Sequence, residues 1–212
     1  MKKKLILGIV PLFAFISANA QKFGYELQLT AFQEIFNSSN LSILNNNPQK
    51  TYISGMGCGI NLGLVACYDT LNPHKSTATI GITCNTNSTL ISNDETVTLA
   101  TLGGYCNYGT KLNNFCKVNF DVEIAWAVYN NEFSVLDKDY SYKKNGTKLS
   151  FGTTFYLTPF KSLQNCEIGL GVKYNSYIFR YNDSNINDIV SQLPKHSEIN
   201  SFIPFIALKY TL

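Results

Sequence analysis

The stretch from Phe115 to Tyr129, FCKVNFDVEIAWAVY, decides how the rest of the chain reads. Cys116, Val118, Phe120, Val122, Ile124, Trp126 and Val128 fall on one side of a two-residue alternation. Lys117, Asn119, Asp121, Glu123, Ala125 and Ala127 fall on the other. Successive side chains of a strand point to opposite faces, so the segment predicts a long strand that separates an apolar environment from a polar one. The same rhythm runs from Cys166 to Tyr181, where Ile168, Leu170, Val172, Tyr174 and Ile178 oppose Glu167, Gly169, Gly171, Lys173 and Asn175. At the C-terminus Phe202, Pro204, Ile206, Leu208, Tyr210 and Leu212 share one face. Weaker copies at residues 23–32, 51–65, 76–84, 96–108 and 148–157 bring the expected strands to eight. In residues 51–68, Gly55, Gly57, Gly59 and Gly63 share odd positions, a period of two that fits a strand and disfavours a helix.

The expected links are residues 33–50, 66–75, 85–95, 109–114, 130–147, 158–165 and 182–197. Long and short ones alternate, with the odd-numbered links the longer. A membrane barrel with both termini on one side sorts its loops in this way, long on the outside and short on the periplasmic side. Closing such a sheet pairs every backbone donor and acceptor and leaves no edge in hydrocarbon, so the apolar face can meet lipid.

Composition agrees. Of the 212 residues 45% are hydrophobic and only 15% charged, against ~25% charged in an ordinary soluble domain. The formal charge of +3 comes from 17 basic and 14 acidic side chains, and Lys2, Lys3 and Lys4 account for the excess. A chain with no basic cluster beyond its start and with Arg180 as its sole arginine lacks the electrostatic footprint of a nucleic-acid binder. Those three lysines precede an apolar run from Leu5 to about Ser17 and then Ala18-Asn19-Ala20. This is the order of a secretory signal peptide, with cleavage expected between Ala20 and Gln21. The expected organisation is a signal peptide over 1–20 and one domain over 21–212.

The cleavage pattern, the glycine-rich segment and the C-terminal Phe202-x-Pro204-x-Ile206-x-Leu208-x-Tyr210-x-Leu212 resemble the small eight-stranded outer-membrane barrels similar to OmpX and the membrane domain of OmpA, in the versions common in Bacteroidota. The resemblance implies an all-β, antiparallel, up-and-down transmembrane barrel in the bacterial outer membrane. It implies passage by periplasmic chaperones and insertion by the outer-membrane assembly machinery, with Phe202, Tyr210 and Leu212 on the strand that machinery reads. Family members commonly end in an aromatic residue, whereas this chain ends in Leu212 with Tyr210 two residues earlier. It further implies roles from adhesion and envelope integrity to passage of small solutes.

With the faces assigned this way, Glu26, Lys117, Asp121, Glu123, Glu167, Lys173 and Lys209 point inward. An eight-stranded barrel is just wide enough for its own side chains to fill, so these charges should pair with one another and plug the lumen. The expected pairs are Glu26 with Lys209, Lys117 with Glu167, and Lys173 with Asp121 and Glu123. Trp126, Tyr129, Tyr105, Tyr108 and Tyr210 are expected in the interfacial girdles, and Arg180 at the outer end of its strand on the lipid face.

The chemistry-bearing residues point away from an enzyme or cofactor protein. His196-Ser197-Glu198 has the residue types of a hydrolytic site, but neighbours on a strand diverge. No C-x-x-C occurs, and His74 and His196 lie in links on opposite sides of the expected membrane, so neither a metal nor a cofactor is expected. The six cysteines, at 58, 67, 84, 106, 116 and 166, leave a disulfide open. Cys106 and Cys116 flank one turn, yet are read onto opposite faces. The function read from the sequence is a structural, adhesion or surface-interaction barrel acting through its extracellular loops, on a ligand the sequence does not name. Two alternatives stay open: a narrow channel for small solutes, and a soluble lipocalin-like carrier, in which the same alternation would turn its apolar face inward.

Overall fold

The computed structural model describes residues 22–37, 52–67, 76–92, 95–113, 115–135, 138–158, 165–184 and 196–212. Eight strands, β1 (Lys22–Asn37), β2 (Tyr52–Cys67), β3 (Ser76–Ser92), β4 (Glu95–Lys111), β5 (Cys116–Val135), β6 (Lys138–Leu157), β7 (Cys166–Ser184) and β8 (His196–Thr211), pair antiparallel in chain order. β1 also pairs with β8, so the sheet closes into a barrel. The closure reaches the last residue: the Tyr25 N–H donates to the Leu212 carbonyl at 3.0 Å, and the Leu212 N–H donates to the Tyr25 carbonyl at 2.8 Å. The expected signal segment, with Ala20 and Gln21 at its expected cleavage site, lies outside the described residues.

The faces of the β5 stretch settle which side is inside. Ile124 and Trp126 are 51% and 56% exposed, while Asp121 and Glu123 are buried. Leu27 and Leu29 on β1, Leu62 and Leu64 on β2, Phe151 and Phe155 on β6, and Ile206 and Leu208 on β8 are likewise exposed. A lipocalin-like barrel would bury these side chains around its axis. Here the apolar band faces out. It runs from Leu149 to Leu157 on β6 and from Phe202 to Leu212 on β8, matching the ~9–11 residues a tilted strand needs to cross a bilayer.

The link lengths differ from the sequence reading. β3 continues through residues 85–92, so only residues 93–94 separate it from β4, and Ser92 pairs with Glu95. β5 and β6 both continue through the expected link at 130–147, leaving only residues 136–137 between them. The third and fifth links are therefore the shortest, and the odd-long rule does not hold. Asn, Ser and Thr read as loop residues because they are polar, but a paired antiparallel hairpin accepts them wherever its outer face meets water. One detail shows where that happens. On β5 the outward positions pass from Ile124, Trp126 and Val128 to Asn130, Glu132 and Ser134, while the inward ones pass from Asp121 and Glu123 to Ala127, Tyr129 and Phe133. The polarity inverts along one strand. The barrel is inside-out through the apolar band and has the ordinary polarity of a water-soluble protein beyond it.

Candidate functional site

The lumen is layered, and the strand register sets each layer. Near the end that carries the termini, Lys209 on β8 lies directly opposite Glu167 on β7 and pairs with its carboxylate. Its ammonium also sits 3.7 Å from the centre of the Tyr156 ring. Glu26 does not take Lys209. Thr211 is its partner on β8, and its carboxylate instead accepts hydrogen bonds from Thr79, Tyr105 and Asn107 on β3 and β4, at 3.4, 3.3 and 3.4 Å. Lys117 is buried at the same end but is not within ion-pair distance of Glu167. Asp121 accepts from the Thr154 hydroxyl at 3.0 Å and has no lysine partner among the described residues.

The middle layer centres on Glu123. Lys148 Nζ lies 2.8 Å from Glu123 Oε1, and Lys173 Nζ lies 3.8 Å from Oε2, with Asn85 donating to Oε1 at 3.1 Å. Lys148 escaped the sequence reading because it opens a strand expected to begin there, where inward and outward positions are hardest to separate. Above it, Glu34 accepts from Tyr177 at 2.7 Å, from Asn175 at 3.0 Å, and from Asn87 and Ser201. Sequence reading missed Glu34 because it placed residues 33–50 in a link.

The far end of the lumen is apolar. Phe36, Val97, Leu99, Ala127, Tyr129, Tyr142, Phe179 and Ile199 form one buried cluster. Phe179 stacks on Tyr177 and meets Tyr129 edge-on, both at 5.7 Å, and Lys144 lies 4.9 Å from the Tyr129 ring centre. Tyr129 and Tyr105 are thus lumen residues and not girdle residues. Tyr105 is odd-numbered, and the register of β4 on β5 puts it opposite Glu123, on the inner face. Trp126, Tyr108 and Tyr210 face outward and are exposed.

Between the layers the cavity bounded by Glu34, Glu123, Lys148, Lys173, Phe32 and Phe205 has a volume of about 20 Å³. A water needs ~10–15 Å³ measured this way, so the cavity holds about one. The five cysteines whose side chains are described are free thiols, and Cys106 faces outward together with Cys116. In the run His196-Ser197-Glu198, Ser197 Oγ accepts from Lys144 at 3.2 Å while Glu198 lies on the exposed face, so the two diverge. Among the described residues no group of His, Cys, Asp and Glu is arranged to hold a metal ion.

Solved structures share this architecture. Neisserial surface protein A, from Neisseria, superposes with a TM-score of 0.57 at 11% identity, covering 90% of this chain and 99% of that one. The N-terminal β-barrel domain of Pseudomonas aeruginosa OprF gives 0.50 at 11% identity, covering 89% and 100%. The fold is that of the small outer-membrane barrels. No protein-family model and no curated protein matches the chain, so the likeness is one of fold alone. Within that fold, Phe202, Tyr210 and Leu212 lie on the outer face of the closing strand β8 and its end.

Proposed function

We propose that the chain is a bacterial outer-membrane barrel with a closed lumen, acting as a structural and surface-interaction protein whose far-end hairpins and links meet extracellular partners. The supporting observation is the filled interior. Ionic layers near the termini and at mid-barrel, the Glu34 cluster above them and the aromatic cluster at the far end fill the cross-section in turn, and the cavity beside Glu34 and Glu123 has room for about one water. Beyond the lipid band the β5–β6 hairpin carries a hydrogen-bonded polar exterior: Asn130 donates to Glu132 at 2.8 Å, and Ser134 donates to Asp139 at 2.6 Å. That polar hairpin is a surface suited to contact with other molecules. In this reading the C-terminal strand is the segment presented to the assembly machinery.

The test combines fractionation with conductance. The mature chain is expected in the outer-membrane fraction, with a different gel mobility before and after boiling, and planar bilayers containing it should carry no steady current. Recovery from the soluble periplasm would contradict the membrane placement. A sustained current would make it a channel.

A further inference from the structure

Every barrel wall is a set of ladders; β3–β4 and β6–β7 each shift register once near the far end, whereas β1–β8 has a gap with no shift of register. β1 and β8 pair at Phe32–Phe205 and again at Ile35–Phe202 in the same register, but the two rungs between, at Gln33 and Glu34, are missing. The residues facing them are Ile203 and Pro204, and proline has no N–H to give. Pro204 still holds its place opposite Val172 in the β7–β8 ladder, so the gap opens on the β1 side alone. It is not a bulge, because the register is unchanged across it.

The gap is closed from within. Glu34 on β1 accepts hydrogen bonds from Ser201 on β8 and from Asn175 and Tyr177 on β7, side-chain links across the seam where backbone links are absent. Phe32 and Phe205 face each other just below. Their rings lie over Gly57 and Gly171, where a Cβ would come within 2.5 Å of Phe32 and 2.4 Å of Phe205. Both rings also bound the small lumen cavity.

On the outside the seam stays open. A groove of about 490 Å³ crosses the outer surfaces of β2, β1, β8 and β7, walled by Met56, Ala31, Pro204, Ile206 and Leu170, with the two phenylalanines behind. Gln33 is its polar lining residue, and it lies towards the far end. The groove sits within the apolar band, where the neighbouring medium is hydrocarbon. An empty slot of this volume in a lipid-facing wall forfeits dispersion contacts on every lining atom. The closed phenylalanine pair rules out a passage inward, so the occupant must be something that lies along the wall.

We propose that the β1–β8 groove is a lipid site that seats one acyl chain of a bilayer phospholipid, packed against Pro204 and the backs of Phe32 and Phe205. The proposal rests on the membrane placement above. The experiment uses the mature chain in phosphatidylcholine vesicles whose acyl chains are brominated, with Trp126 replaced by Phe and a tryptophan introduced by Phe205→Trp. Unheated gel mobility checks folding; Phe32→Trp serves if the first variant does not fold. The tryptophan behind the groove should be quenched nearly as strongly as native Trp126. Adding Ala31→Leu, which fills the groove, should remove most of that quenching. A tryptophan from Leu99→Trp, inward where the rungs to Asn87 and Tyr129 are both present, should be largely spared. Quenching at 205 no stronger than at 99, or unaffected by Ala31→Leu, would overturn the lipid site. Dependence of the signal on protein density in the vesicle would make a second copy the occupant and overturn it equally. If native Trp126 itself escapes brominated chains, the membrane placement fails instead.

Discussion

Glu123→Gln is expected to cost about 3–5 kcal/mol, the penalty for leaving one partner of a buried ion pair uncompensated. The carboxylate is 2% exposed and meets Lys148, 3% exposed, at 2.8 Å, with Lys173 on its other oxygen. The amide keeps the shape and one acceptor but loses the charge, so Lys148 remains buried without an anion beside it. The loss should appear as a lower urea midpoint for the barrel in phospholipid vesicles, followed by Trp126 fluorescence. The double variant E123Q/K148Q should be more stable than E123Q alone, because the stranded cation is gone. A coupling of about 0.5–3 kcal/mol is expected for groups in contact. Full recovery is not, since Lys173 keeps no anion within reach and retains the Phe205 ring at 5.3 Å. Strict additivity would show that the two side chains do not act as a pair.

The second large effect tests the aromatic cluster at the far end. Phe179 is fully buried between Tyr177 and Tyr129, and Phe→Ala in a packed interior costs about 3–5 kcal/mol. Phe155, half-exposed on the outer face, should tolerate alanine far better, because lipid replaces the contacts it loses. The same urea titration ranks the two, and F179A should also speed proteolysis of the β5–β6 hairpin. A soluble carrier with its apolar face inside would reverse that ranking.

What the sequence disclosed depended on whether the sign of the alternation stayed constant. From Cys116 to Val128 the large apolar residues hold even positions and the charges odd ones. From Ile168 to Val172 the even apolar residues alternate with glycines, and from Phe202 to Leu212 the even positions are again apolar although Ile203 and Phe205 fill inward odd ones. There the strands, their outward faces and the eight-strand closure were all legible. Beyond Val128 the even positions Asn130, Glu132 and Ser134 are polar while the odd positions Tyr129 and Phe133 are apolar, with Asn131 buried between them, the pattern of a strand that leaves a lipid band for water. A reading tuned to one sign sees the strand end, which hid Tyr129, Phe133 and Tyr142 as lumen residues and turned paired hairpins into loops. The individual ion pairs were less legible for a different reason. Partners across strands are set by register, and a displacement of two residues sends Lys209 to Glu167 and leaves Glu26 to the neutral donors of β3 and β4. Pro204 reads in the sequence only as one of the residues on the apolar face of the final strand; that it faces the gap in the seam required the pairing of β1 with β8.

The central claim is the direction in which the apolar face points, and Trp126, the chain's one tryptophan, reports on it directly. Reconstituted in vesicles, its emission should be quenched by brominated acyl chains and left nearly untouched by aqueous iodide. Quenching by iodide with no response to the brominated lipid would place the indole in water and contradict the inside-out barrel.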